Sequence, residues 1–336
     1  MEKLYSIVKK WGITPQHIEE IKFNVWRVKT SHGDYALKCS ELNQNRLDFI
    51  ATAHEHLNLC GFQNFAKPIS CKGLPYLSHG DDFYTLYDWV CGEPCNFDNI
   101  GHLRAAAEAL GKFHLYSRSE KLLENQGAKF SYFSWIEKTG KRIEDMEKFQ
   151  ALASLGERNF FEKMYLGFYE PFMAKAKKSK KLLLTSSYPG IAHDDFKVGA
   201  FIHYDVAARN FIIQGKEGYL IDFDYCTLDM PIVDLMRLIK RSLKYGNDSE
   251  SKIKAIVSGY TNVKPLTKKQ WEVLYALLLF PQKYWRLAER YFGKDTVWSL
   301  DTFNKKIRSV VKELENENRW LPILRQEAGL GEDSER

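Results

Sequence analysis

Two acidic residues and one amide lie around a predicted β-hairpin and could together hold a divalent cation. Asp205 and Asn210 precede a strand predicted over Phe211–Ile213, and Asp222 follows a strand predicted over Tyr219–Ile221. The five residues between the strands include two glycines, which favour a hairpin loop. Carboxylate and amide oxygens are hard donors of the kind that Mg²⁺ prefers. This stretch therefore predicts a magnesium site.

The pairing of the two strands decides whether these side chains meet. If Lys216 is the centre of the loop, Asn210 lies opposite Asp222. Facing side chains on antiparallel strands have Cβ atoms about 4.5–5.5 Å apart, so the two could share one cation. Asp205 lies on the loop before the hairpin, where a carboxylate beside a metal can serve as a general base. The alternative is a polar hairpin in which these residues only cap turns.

The first third of the chain is predicted to be rich in β-strands and to contain one helix. Alternating polar and apolar residues predict a strand over Phe23–Lys29, and a turn leads to a returning strand at Tyr35–Cys39. A helix is predicted over Arg46–Cys60, with Gly61 in the position that ends it. A further strand is predicted over Tyr84–Val90.

After a Gly-Glu-Pro break the pattern becomes helical. A buried stripe predicts a helix over residues 100–117, and residues 141–179 are helical in composition. Beyond Ile232 the chain is helical except near Pro265 and Pro281. The prediction is an α+β fold with a small lobe and a mainly helical lobe. Its parts are an N-lobe over 1–90, a C-lobe over 91–326 with a catalytic hairpin at 201–225, and a polar tail at 327–336.

Composition and charge narrow the function classes. The chain has 336 residues, 44% apolar and 27% charged, so wholesale disorder is excluded. A net charge of +6 is compatible with an anionic ligand and too weak to argue for nucleic acid. The longest apolar run, Val273–Phe280, is too short to span a bilayer, and the amino terminus lacks a signal-peptide pattern. We therefore expect a cytoplasmic protein with no membrane or nucleic-acid partner.

The cysteines are expected to be reduced and to pack as small apolar side chains. All six are scattered, and no CxxC pair occurs. His54, His56 and Cys60, or Cys91 with Cys95, could be drawn as metal ligands. Neither set has a second ligand pair at the spacing of a zinc site, so metal binding there is disfavoured.

The residues around the hairpin resemble the catalytic and metal-binding motifs of protein-kinase-like phosphotransferases. His203-x-Asp205, then Asn210, then Asp222 follow the order of those motifs, and Asp234 also fits the aminoglycoside phosphotransferase and choline kinase-like branch. The Phe-Asp-Tyr that follows Asp222 replaces the Phe-Gly of protein kinases. Within the branch, His-x-Asp-x-Ala-x-x-Asn-Phe-Ile-Ile and Ile-Asp-Phe-Asp-Tyr-Cys resemble the CotS-type spore coat family of endospore-forming bacteria. The resemblance extends over most of the chain.

The resemblance implies a role for each matching residue. Asp205 would orient or deprotonate the acceptor hydroxyl, and Asn210 and Asp222 would hold Mg²⁺. Lys38 would neutralise the phosphates of ATP. Backbone groups of three hinge residues would face the adenine, and three further residues would support the site, Asp224 either structurally or as a ligand of a second metal. The hinge residues are Asp88, Trp89 and Val90, and the supporting residues are His203, Asp234 and Asp224.

Two parts of the kinase pattern are missing from the sequence. No glycine-rich phosphate loop is present, and the equivalent segment is Phe23-Asn24-Val25-Trp26-Arg27. The predicted helix over Arg46–Cys60 offers no obvious Glu as a partner for Lys38. Asp48 is the better candidate for that partner, and Glu55 is the other nearby acid.

Two functions of different classes follow. The first is ATP- and Mg²⁺-dependent phosphoryl transfer to a hydroxyl of a small molecule in a sporulation setting. The second is a spore coat structural or assembly protein that keeps the kinase fold and phosphorylates nothing. The partners would be the unknown acceptor and spore coat proteins, and the spore coat would be the alternative location.

Two further segments leave alternatives open. Five lysines lie within 175–181, which is either a solvated segment or a docking patch for an acidic partner. The aromatic-rich helices between Trp271 and Trp298 are either core or the wall of an acceptor pocket, where a cationic amine could rest on the rings.

Overall fold

The amino-terminal part of the chain is an antiparallel sheet in a computed structural model that describes residues 2–155, 157–244, 248–293 and 298–331. The strand order is β1-β2-β3-β6-β4, and β5 pairs with β6. The sheet has its own small core, built from α1 and the central strands. The elements are α1 (Glu2–Lys9), β1 (His17–Lys22), β2 (Val25–Thr30), β3 (Gly33–Ser40), α2 (Gln44–Leu59), β4 (Pro68–Ile69), β5 (Leu77–His79) and β6 (Asp82–Asp88).

The first hairpin contains the segment Phe23–Arg27, which the sequence comparison equated with the missing glycine-rich phosphate loop. Strand β1 was not predicted, because Ile18 is its only buried residue and its sequence shows no alternation. A two-residue turn, Phe23 and Asn24, joins β1 to β2, since Lys22 pairs with Val25. Asn24 takes the left-handed conformation at φ 61°, which Asn tolerates better than most residues.

Helix α2 belongs to the core of the larger part of the chain. The side chain of Asn43 caps its first turn, and Gly61 at φ 83° follows its end as predicted. Its buried Phe49, Ala53 and Leu57 share one hydrophobic cluster with the larger part, separate from the cluster under the sheet.

A second hairpin carries the motif residues, and its predicted register is wrong by one residue. Gln214 pairs with Glu217, so the turn has two residues instead of the five expected. Asn210 is therefore opposite Ile221, whose N–H donates to the Asn210 carbonyl at 3.0 Å, and not opposite Asp222. Gly215 at φ 62° makes the tight turn accessible. The strands of this part are β7 (Glu93–Pro94), β8 (Phe201–Ile202), β9 (Phe211–Gln214), β10 (Glu217–Leu220) and β11 (Thr227–Leu228).

The remainder of the chain is helical, as predicted. Helix α3 lies at the centre and packs against α9 and the β9–β10 hairpin. Pro265 and Pro281 separate helices where expected. The helices are α3 (Ile100–Tyr116), α4 (Trp135–Ala153), α5 (Phe160–Gly167), α6 (Tyr169–Thr185), α7 (Tyr188–Lys197), α8 (Pro231–Ser242), α9 (Ser249–Thr261), α10 (Lys268–Leu279), α11 (Gln282–Phe292) and α12 (Leu300–Glu327).

The lysine run lies within α6 and is partly used for packing, since Lys175 bonds to Glu317 of α12 at 3.3 Å. Of the predicted polar tail, residues 332–336 lie outside the described residues. Among the helices that the structure describes, none combines the length and apolarity needed to cross a bilayer.

The six cysteines are free, and three of them, Cys71, Cys95 and Cys226, are buried. Cys60 contacts the ring of His56 at 3.5 Å, but the described ranges contain no group of three ligands that could hold a metal ion.

We expect Gly218→Ala to destabilise the protein by about 1–3 kcal/mol, as overpacking does. A Cβ at Gly218 would lie 2.7 Å from the carbonyl oxygen of Ala105, which is α3 backbone. Denaturant unfolding would measure the change. The matched control is Gly190→Ala in α7, where a Cβ meets nothing within 4 Å. Equal stability of the two variants would contradict this packing.

Candidate active site

A cleft opens between the amino-terminal sheet and the β9–β10 hairpin. It encloses about 710 Å³ of empty space, including its open mouth. Lys38, Asp88, Trp89 and Val90 all line it, together with Asp222. The rest of its wall is largely apolar, from both sides of the cleft. The apolar residues are Val25, Ala36, Ala66, Tyr87, Ile212, Ile221 and Phe223.

The strand end at Asp88–Val90 has one backbone donor left. The Asp88 N–H donates to the Lys67 carbonyl at 2.9 Å, and the Trp89 N–H donates to the Asp34 carbonyl at 3.2 Å. Within the described residues, the Val90 N–H has no backbone acceptor. It is thus available to a ligand in the cleft.

Lys38 joins the sheet to the segment after the hairpin. Its Nζ lies 2.6 Å from a carboxylate oxygen of Asp222 and 2.6 Å from one of Asp224. Burial opposes the charge on this ammonium, but Asp224 and Asp222 outweigh it and raise the pKa of Lys38 above its ordinary value. Lys38 is therefore firmly held and charged.

The prediction that an acid of α2 pairs with Lys38 is wrong. Asp48 accepts a hydrogen bond from the Tyr76 hydroxyl at 2.7 Å, and Glu55 pairs with Lys121. Four residues of α2 line a small cavity together with Lys38, and the titratable one is His54; the other three are Leu47, Ile50 and Ala51. Burial, then the charges of His203 and Lys38, lower the pKa of His54 to about 3, so it is neutral. Asp224 takes the place of the helix acid.

Asp222 is an ionised carboxylate on a left-handed residue, at φ 66°. Its second oxygen lies 3.3 Å from Nζ of Lys22. Burial opposes ionisation, but Lys38 and then Lys22 lower the pKa of Asp222 to about 2. Lys22 was missed from the sequence because its strand, β1, shows no alternation.

Asp205 and Asn210 are hydrogen-bonded to each other. The Asn210 amide donates to the Asp205 carbonyl and to a carboxylate oxygen of Asp205, both at 2.8 Å. This leaves the Asn210 amide oxygen as an acceptor. Neither residue is among the described residues that line the cleft.

Two arginines hold the Asp205 carboxylate. Arg209 bonds to one oxygen and Arg241 of α8 to the other, each at 2.8 Å. Burial opposes ionisation, but Arg241 and Arg209 lower the pKa of Asp205 below its ordinary value. Sequence reasoning missed both arginines. The position of Arg209 within the motif was a signal, whereas nothing in the local sequence marks Arg241.

Asp234 anchors the loop that carries Asp205. This fully buried carboxylate accepts the N–H groups of His203 and Tyr204 at 2.8 and 2.9 Å. It also contacts Nε2 of His114 at 3.3 Å. Burial lowers the pKa of His114, so this contact is a hydrogen bond from a neutral ring. The His203 ring in turn donates to the Ile221 carbonyl at 2.9 Å, which ties the loop to the residue before Asp222.

Arg46 provides the link between α2 and the segment after the hairpin. Its guanidinium donates to the Asp224 carbonyl at 3.0 Å and also to the Cys226 carbonyl. Helix α2 thus holds the backbone of Asp224, while Lys38 holds its carboxylate.

The sequence matches the family described as "Spore coat putative kinase YutH" over residues 5–323. The chain belongs to this family. Spore coat protein S of Bacillus subtilis (strain 168) is 25% identical over 327 residues, which are 92% of this chain and 91% of that protein. The resemblance to CotS-type spore coat proteins is therefore confirmed.

Solved structures support the same fold. An aminoglycoside phosphotransferase from Alicyclobacillus acidocaldarius superimposes with a TM-score of 0.85 at 22% identity, covering 96% of each chain. The amicoumacin kinase hAmiN, in complex with AMP-PNP, Ca²⁺ and Ami, has a TM-score of 0.59 at 15% identity, covering 90% of this chain and 89% of its own. These likenesses confirm the bilobal α+β, kinase-like fold.

The donor chemistry of the YutH-family chain fits a hard divalent cation. Asp222 offers an ionised carboxylate, and Asn210 offers an amide oxygen that has no hydrogen-bond partner among the described residues. Both suit Mg²⁺ when phosphates and water complete the shell. Both Asp222 oxygens are engaged by lysines, so a cation would have to displace Lys22 or Lys38 from them.

We expect the stabilisation from Asp222 to disappear at low pH. A carboxylate whose pKa is lowered on folding stabilises above its unfolded pKa, here 3.8, and loses this effect as the pH falls through about 2. The free energy of unfolding of wild type should exceed that of Asp222→Asn by about 2 kcal/mol at neutral pH, and the two values should converge in acid. Denaturant unfolding at a series of pH values measures this. Asp81→Asn, an exposed turn residue, is the control, and a difference that does not change with pH would contradict the ion pairs.

Proposed function

We propose that this chain is an ATP- and Mg²⁺-dependent phosphotransferase that acts on a hydroxyl group of a small molecule during sporulation. The observation that carries the proposal is the Lys38–Asp222 ion pair on the wall of an apolar cleft. The loop of Asp205 and Asn210 is tied to the same strand end through His203. The spore coat family and the kinase-like fold support the setting and the reaction class.

The cleft would hold the nucleotide. Its apolar walls suit the adenine ring, and the Val90 N–H is the donor available to the ring edge. Lys38 and Lys22 would turn from the carboxylates toward the phosphates. Bound Mg²⁺ would neutralise phosphate charge and orient the transferred group. Asp222 and Asn210 are the residues that would hold it.

Asp205 would position the acceptor hydroxyl. Its lowered pKa makes it a weak base, which suits orientation of the hydroxyl and acceptance of the proton late in the transfer. Asn210 holds the Asp205 carboxylate in place through its amide. Asp234 and His203 would serve as positioning residues for this loop.

A non-catalytic role in the spore coat is the second candidate. The observation that favours it is that the oxygens of Asp205 and Asp222 are already bonded to basic side chains. In a scaffold these ion pairs would serve stability alone. Nucleotide binding and turnover distinguish the two candidates.

We expect ATP with Mg²⁺ to stabilise the chain by about 2.7 kcal/mol at a ligand concentration about 100-fold above Kd. Thermal melting with ATP, with Mg²⁺ and with both measures it. Asp222→Ala should remove the metal-dependent part, because it removes the charged ligand, and Asp81→Ala should retain it. No shift at millimolar ATP and Mg²⁺ would favour the scaffold.

We expect Asp205→Asn to lower turnover by about a hundredfold or more and to leave stabilisation by ATP and Mg²⁺ nearly unchanged. The substituted amide keeps the shape of the side chain and loses its basicity. ADP release with a panel of hydroxylated metabolites is the assay. Turnover equal to that of wild type would remove Asp205 from the mechanism.

A further inference from the structure

The surroundings of Asp205 carry an excess of positive charge. Two arginines contact its single carboxylate, and both remain accessible, since the side chains of Arg209 and Arg241 are 67% and 37% exposed. Asp205 itself is 12% exposed. One carboxylate balances one of these two charges, so the other is available to a ligand that reaches Asp205.

Arg237 adds a third cation one helical turn before Arg241 on α8. Its guanidinium lies 3.5 Å from the centre of the Tyr204 ring, directly beside the Asp205 loop. Its Nε is buried and has no hydrogen-bond partner among the described residues. A buried donor without a partner costs free energy unless a ligand satisfies it.

The positive charge extends onto α4 and α11. Burial, then the charge of Arg286, lowers the pKa of Arg142, and Arg237 acts in the same direction, while Tyr204 and Glu289 oppose it. Arg286 also lines a groove between α11 and α12 with other basic residues. Among the described residues that line this groove, the acid is Glu313, which pairs with Lys283. The other basic residues of that groove are Lys244, Lys283, Arg290 and Lys306.

The aromatic rings in this region already carry cations of the chain itself. Arg142 lies 4.6 Å from the centre of the Trp285 ring, and Lys306 lies 4.4 Å from that of Trp298. The sequence analysis kept the alternative that a cationic amine rests on these rings. Such an amine would lie beside the arginine and lysine side chains that already contact them. Like charges brought together in a partly buried site are costly.

We propose that the acceptor is an anion: a small hydroxyl compound that carries a carboxylate or a phosphate group, bound by Arg237 and Arg241. This inference rests on the proposed phosphotransferase function. The aminoglycoside named for the structural neighbour carries amino groups, so the acceptor class of this chain differs from it in the sign of its charge. Arginine forks match carboxylate and phosphate oxygens in geometry as well as charge.

Binding of the anion would also release Asp205. The acceptor's charge competes for Arg241 and frees the Asp205 oxygen that this arginine holds, which then accepts a hydrogen bond from the acceptor hydroxyl. In the transfer, the hydroxyl oxygen forms a bond to the γ-phosphorus of ATP while the bond from that phosphorus to the β,γ-bridging oxygen breaks. ADP leaves, and the hydroxyl proton passes to Asp205.

Four related sugars test the inference in the full chain. Calorimetry with glucuronate, a hexose phosphate, glucose and glucosamine compares a carboxylate, a phosphate, a neutral and a cationic form of one scaffold. We expect glucuronate or the hexose phosphate to bind and the other two not to bind. Arg237→Gln with Arg241→Gln should weaken the anion about tenfold or more, because two charged hydrogen bonds are lost. Arg319→Gln, an exposed residue of α12, should bind as wild type does.

The outcomes test the anionic acceptor and the phosphotransferase function separately. Preferential binding of glucosamine, the absence of anion binding at millimolar concentration, or equal anion binding in the double variant overturns the anionic acceptor. Arg241→Gln alone, at a partly exposed position, serves as a second variant if the double variant does not fold, and it should weaken the anion as well. Melting with ATP and Mg²⁺ in the double variant should shift as in wild type. If ATP and Mg²⁺ do not shift the melting temperature of wild type, the phosphotransferase function is overturned. Anion binding is then decided by the calorimetry alone.

Discussion

The ion pairs of Lys38 with Asp222 and Asp224 are the interaction on which the site depends. They connect strand β3 to residues that lie more than 180 positions further along the chain, across the open cleft. Because the cleft wall is mostly apolar, these charges are shielded from water and attract more strongly than they would on a surface. Burial alone would raise the pKa of Asp222 and lower that of Lys38, but the attraction between the opposite charges outweighs it, so both groups stay charged. At these ion pairs the cleft wall therefore carries charges of both signs that nearly cancel.

Buried hydrogen-bond acceptors also hold the loop that carries Asp205. Asp234 accepts hydrogen bonds from two backbone N–H groups that would otherwise be unpaired in the core. The His203 ring donates to the Ile221 carbonyl, which fixes the loop relative to the residue before Asp222. Orphaned donors in a dry core are expensive, so this geometry leaves the loop few other conformations. Beside this loop, Arg241 contacts Asp205, and the buried Nε of Arg237 has no hydrogen-bond partner among the described residues.

Features set by neighbouring residues could be predicted from the sequence, and features set by distant contacts could not. The end of α2 at Gly61 and the buried stripe of α3 follow from local conformation and periodicity. The hairpin register was missed because a two-residue and a five-residue loop both suit a stretch with two glycines, and the choice moves Asn210 from Asp222 to Ile221. The partner of Lys38 was missed because the packing of α2 turns His54, not Asp48, toward it. Arg241 reaches Asp205 through the placement of α8, which no local pattern encodes.

The attachment of α2 has a consequence for how the two lobes can move. Its apolar side belongs to the helical lobe, and Arg46 fastens it to the carbonyls of Asp224 and Cys226. A rigid rotation of the whole amino-terminal region would tear this helix from its core. The strands pack with α1 in a separate cluster, so a movement that widens the cleft would shift the sheet relative to an α2 that stays with the helical lobe.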